Sequence, residues 1–79
     1  MKISNFINEI GNKIKIRIKD HHGYGINFRT KEKKKYDGVT ISMIGPTSES
    51  GNEITLLEAI ELEKILSSYL KDRKVRTIS

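Results

Sequence analysis

Residues 52–72 read Asn52-Glu-Ile-Thr-Leu-Leu-Glu-Ala-Ile-Glu-Leu-Glu-Lys-Ile-Leu-Ser-Ser-Tyr-Leu-Lys-Asp72. This stretch decides the architecture, because it holds the one long helical pattern in the chain. Thr55 followed by Glu58 is a capping box, in which each side chain satisfies a backbone N–H that the first turn leaves unpaired. Ile54, just before the cap, is placed to staple onto Ala59. Ala59, Leu62, Leu66 and Tyr69 recur three and four apart, flanked by Leu56, Ile60, Ile65 and Leu70. The result is a wide apolar stripe opposite Glu61, Lys64, Ser68 and Lys71. Acids lead the helix and bases end it, which suits the helix dipole. Such a stripe needs a partner surface, and residues 13–44 are the stretch able to supply one.

Lys13-Ile-Lys-Ile-Arg-Ile-Lys19 alternates perfectly, so Ile14, Ile16 and Ile18 face one way and the cations the other. Asp20 to Gly23 reads as a turn. A second strand runs from Tyr24 to Lys31, with Tyr24, Ile26 and Phe28 inward and Asn27, Arg29 and Lys31 outward. Asp37-Gly38 is a further turn signal. Beyond it, Val39, Ile41 and Met43 face the core, with Thr40 and Ser42 outward. Residues 45–52 read as a loop of turn formers, and Glu53 to Leu56 as a brief fourth strand. Ile3, Phe6, Ile7 and Ile10 are spaced for a short helix over 2–11, ending at Gly11. Residues 75–79 are expected to be a frayed tail. The fold expected is therefore α+β in one domain. It has a short N-terminal helix, a three- to four-stranded antiparallel sheet over 13–44, and a long C-terminal helix over 53–72 packed on one sheet face.

The net charge of +5 is unevenly spread. Residues 13–37 hold nine Lys and Arg against three Asp and Glu, hence +6, while the rest of the chain nearly cancels. Lysines two apart on a strand project about 6.6 Å apart, close to the phosphate spacing of an extended nucleic-acid strand. The cationic candidates are Lys13, Lys15, Arg17, Lys19, Arg29, Lys31, Lys33, Lys34 and Lys35. Against this, the outward positions carry no aromatic ring on which bases could stack.

Other chemistry finds little footing. The chain has no cysteine, which excludes disulfides and thiolate sites and fits a reducing, cytoplasmic setting. His21-His22 has no acid or thiol at metal-ligand spacing, so no metal or cofactor is expected. No serine has a base partner and no glycine pattern cradles a phosphate. An enzyme is not expected, nor is a membrane span. A domain of 79 residues buries only about 60% of its unfolded surface, so a homodimer is expected to stabilise it.

Gly51-Asn-Glu-Ile-Thr-Leu-Leu-Glu58 before the long helix, with Lys35-Tyr-Asp37 at the opening of a strand, resembles the positive-cofactor-four family of single-stranded-DNA-binding proteins. The resemblance implies a curved sheet backed by a helix, dimerisation through the helices, and single-stranded DNA held by basic strands and hairpin loops. Glu53 stands where that family usually has glycine, and the family's tryptophans are lacking. The opening Met1-Lys-Ile-Ser-Asn-Phe-Ile-Asn-Glu-Ile-Gly-Asn-Lys13 is similar to small phage anti-CRISPR proteins. That likeness implies instead an inhibitor docked on a host nuclease or other host enzyme. The leading expectation is a non-enzymatic protein that holds single-stranded nucleic acid on a basic sheet face.

Overall fold

The computed structural model describes residues 1–78, with side chains through Arg73. Four strands, β1 (Lys2–Ile7), β2 (Lys13–Ile26), β3 (Lys33–Ile44) and β4 (Glu49–Thr55), precede one helix, α1 (Leu56–Ile78). The strands form a single antiparallel sheet in sequential order. The class is α+β, as the sequence implies, but the first element is a strand and not a helix.

The opening stretch pairs because Asn8 makes a turn. Its Oδ1 accepts from the N–H groups of Ile10 and Asn12, each at 3.0 Å, and Gly11 takes a φ of 95°, open to glycine without penalty. The chain folds back there, and Lys2–Ile7 pairs residue for residue with 13–18 of β2. The helical spacing of Ile3, Phe6, Ile7 and Ile10 buries nothing, since all four stay exposed. A helix this short cannot hold itself without burial, whereas the strand gains a hydrogen-bonded neighbour.

Asp20 to Gly23 and Asp37-Gly38 are not turns either. β2 runs straight through the two histidines, with His21 opposite Gly38 and Gly23 opposite Tyr36. The reversal comes later, at residues 27–32. Asn27 Oδ1 accepts from the N–H groups of Arg29 and Thr30 at 2.9 and 3.2 Å, and Lys31 adopts a left-handed φ of 65°. The loop between β3 and β4 shrinks to residues 45–48, closed by Gly45 N–H donating to the Ser48 carbonyl at 2.8 Å. The expected brief fourth strand thus begins at Glu49 and is seven residues long.

Gly38 is in the strand to make room rather than to turn. It is opposite both His21 and Thr55, and a Cβ there would run into the Ile54 carbonyl oxygen and approach the Thr55 Cα. Those two residues end β4 at the base of the helix. Gly38→Ala is therefore expected to cost about 1–3 kcal/mol by overpacking against backbone. Urea denaturation monitored by circular dichroism checks this, and an unchanged midpoint would refute the close approach.

The helix begins at the expected cap. Glu58 N–H donates to Thr55 Oγ1 at 3.1 Å, and Thr55 N–H donates to Glu58 Oε1 at 2.8 Å. It continues to Ile78, so the backbone expected to fray from residue 75 is helical that far, and Ser79 lies outside the described residues. What the helix does not do is close a core. It adjoins β3 and β4, but among the described residues no hydrophobic side chain is buried. Leu56, Leu57, Ile60, Leu62, Ile65, Leu66, Tyr69 and Leu70 all remain exposed.

The size of the molecule says the same. The Cα radius of gyration is 16.1 Å. A compact chain of this length would have a radius of about 12 Å. The accessible surface is 7160 Å². That is roughly 2300 Å² more than a globular monomer of this mass exposes.

Candidate nucleic-acid interface

Unbroken pairing carries one face across all four strands. Lys13, Lys15, Arg17, Lys19 and His21 of β2 share it with Ser42, Thr40, Gly38, Tyr36 and Lys34 of β3 and with Glu49, Gly51, Glu53 and Thr55 of β4. Ile3, Asn5 and Ile7 of β1 flank it. Ile14, Ile16, Ile18, Val39 and Ile41 occupy the other face, as strand periodicity requires. Lys13, Lys15, Arg17 and Lys19 thus form a straight row, as the sequence implies.

Arg17 is the anchor of this row. Arg17 stands opposite Ser42, which is only 6% exposed. Its Nη2 comes to 3.8 Å from Glu49 Oε1, and its Nε is buried without a hydrogen-bond partner. An ion pair this long and this wet contributes little, so the guanidinium keeps donors to offer. Glu49 and Glu53 reduce the charge of this face, but four lysines with Arg17 still leave it at +3.

The row ends at a ring that alternation alone hides. Tyr36 lies over Gly23 and Gly25, where an added Cβ would come to 3.3 Å from the Tyr36 hydroxyl and 3.8 Å from the ring carbons respectively. The His21 ring is tilted against Tyr36 with centroids 5.9 Å apart. His21 Nε2 also reaches Glu53 Oε2 at 3.3 Å. So the basic face does carry an aromatic ring, supplied by β3. The sequence signal was there: two glycines spaced by two in a strand make a flat seat for a cross-strand ring.

The remaining cations do not all join the row. Lys34 shares its face, opposite Gly25. Lys33 and Lys35 lie on the other face, opposite Ile26 and Tyr24. Arg29 and Lys31 belong to the hairpin turn. Of the six cations expected outward on the sheet, Lys13, Lys15, Arg17 and Lys19 form a row on β2 with Lys34 beside it, while Arg29 and Lys31 join a separate cluster at the hairpin end. Tyr24, Ile26 and Phe28 are not core residues either; they are 65%, 57% and 82% exposed. Lysines on the facing strand, where a core would need apolar partners, give the reason.

The histidines and carboxylates form pairs, not a centre. His22 Nδ1 is 2.7 Å from Asp37 Oδ1, on the face opposite His21. Among the described residues, no three His, Cys, Asp or Glu stand together in a way that would hold a metal ion. No described helix is long and apolar enough to cross a membrane. An open cleft of about 660 Å³ at the far end of the sheet is lined by Phe6, Ile7, Ile14, Ile44 and Pro46 among others, with no carboxylate or histidine in its wall. No family model matches the chain, and no curated protein or solved structure is significantly similar to it.

Proposed function

We propose that this protein binds single-stranded nucleic acid along the Lys13–Lys19 row and does so as a homodimer. The observation that carries the reading is the continuity of Lys13, Lys15, Arg17 and Lys19 with the Tyr36 ring seated on Gly23 and Gly25. A phosphate track that ends in a stacking surface is what unpaired strands require. A duplex would offer phosphates but no open base face to Tyr36.

The second copy follows from the missing core. An excess surface of roughly 2300 Å² per chain is on the scale that obligate homodimers bury. Ala59, Leu62, Leu66 and Tyr69 supply a seam at three- and four-residue spacing, on a helix that has no apolar cover of its own. Pairing of two such helices, or of each helix with its partner's apolar sheet face, removes that surface from water.

Fluorescence anisotropy of a labelled single-stranded oligonucleotide tests the binding. If the four cations of the row each meet a phosphate, affinity falls about 50-fold between about 50 and 200 mM salt, because the slope is roughly −0.7 per contact. Absence of binding at low salt would remove the proposal and hand the exposed surface to a protein partner. The inhibitor reading would then be pursued by capture of a purified nuclease.

A further inference from the structure

The hairpin formed by β2 and β3 outruns its neighbours. β1 pairs no farther along β2 than Ile18, and β4 no farther along β3 than Gly38. From His22–Asp37 to Ile26–Lys33 the hairpin is a two-stranded ribbon with no strand paired to either edge. On the face opposite the Lys13–Lys19 row it carries Tyr24, Ile26, Lys33 and Lys35, with Phe28 and Lys31 in the turn beyond. The Lys33 ammonium lies 5.0 Å from the Tyr24 ring centroid, and the Lys31 ammonium 5.9 Å from that of Phe28.

We infer that this ribbon end is a second nucleic-acid contact, where Tyr24 and Phe28 stack on unpaired bases and Lys31, Lys33 and Lys35 hold the adjoining phosphates. The inference rests on the proposed function and adds to it a site on the opposite face. Three observations carry it. The rings are 65% and 82% exposed, so they fill no core. The partners across the strand are lysines, which excludes a purely apolar occupant. Between His22 and Tyr36 the ribbon holds five cations against Glu32, a local +4 that makes up most of the chain's net charge.

A lysine-rich edge that merely resists aggregation needs charge, but not large exposed rings. Lysine over an exposed ring is a weak contact, too weak to account for placing two rings in water. Each ammonium lies 5.9 Å or less from a ring centroid, and both rings keep most of their surface in solvent, where a base can reach them. A base then stacks while the same ammonium meets its phosphate, so one lysine serves both contacts. The open edge of β2 beyond Ile18 lets a strand pass from the row on one face to the rings on the other.

The test uses the full chain carrying Phe28→Trp. The protein has no other tryptophan, so the emission reports this position alone. Oligothymidylate is compared with an abasic oligomer of equal length, which offers sugar and phosphate without bases. Anisotropy is recorded in the same titration. The expected result is strong quenching by oligothymidylate and little by the abasic oligomer. Adding Tyr24→Leu should weaken oligothymidylate binding about tenfold, the scale of one lost stacking contact. Anisotropy that reports oligothymidylate binding without quenching would overturn this inference and leave the proposed function standing. No anisotropy change with either oligomer would overturn both. A blue shift that grows with protein concentration and no nucleic acid would reassign the rings to contact between copies of this chain, and so overturn the stacking site.

Discussion

Arg17→Glu with Lys19→Glu is expected to weaken single-strand binding more than 100-fold without unfolding the protein. Each charge-assisted contact to a phosphate contributes about 1.5–3 kcal/mol, so losing two removes about 3–6 kcal/mol, and the new carboxylates add repulsion. The salt slope should fall by about half, since two of four contacts remain. The fold should tolerate the change, because the Arg17–Glu49 pair is long and only partly shielded from solvent, and surface pairs of this kind contribute about 0–1 kcal/mol. Lys64→Glu with Lys71→Glu applies the same change in charge on the helix. That control should bind nearly as the parent does. Equal loss in both variants, measured by anisotropy at low salt, would show that net charge acts and the row does not.

Leu62→Glu with Leu66→Glu is expected to leave an unfolded monomer. Both leucines belong to the helical seam, and both are exposed within one chain. If a second copy buries them, each contributes about 1.5–3 kcal/mol, and a carboxylate in the same place adds the cost of an unpaired buried charge. A single chain has no buried hydrophobic side chain among its described residues, so it has little to fall back on. Light scattering should give twice the chain mass for the parent and one chain mass for the variant, with its cooperative thermal transition lost. A parent that is monomeric and still melts sharply would refute the dimer.

The same leucines show where the sequence is legible. Their spacing marks the helix and the Thr55–Glu58 cap marks its first turn, because both are local properties of a few consecutive residues, although residues 53–55 of the expected span pair in β4 and the helix runs on to Ile78. The alternation of Lys13 to Lys19 and of Val39 to Met43 gives the faces of β2 and β3 for the same reason. Residues 2–11 fail because Ile3, Phe6, Ile7 and Ile10 fit a helical spacing, and only the return of the chain at Asn8 and Gly11 makes pairing with β2 possible. Gly23 and Gly38 read locally as turn formers. In the sheet they serve Tyr36 and the Ile54 carbonyl, partners well removed from them along the chain.

The sequence by itself determined the class of the fold, the helix with its apolar seam, the cationic row of β2 and the concentration of charge in residues 13–37. Those follow from periodicity and composition, which neighbouring residues fix between them. The tertiary structure decided the pairing of β1, the true position of the hairpin turn, and which of the nine cations share a face. It also decided that Tyr36 joins the row and that Tyr24 and Phe28 stand in solvent. These depend on strand register, and register is set by residues far apart in the chain, so a shift of one position would have exchanged every side chain between the two faces.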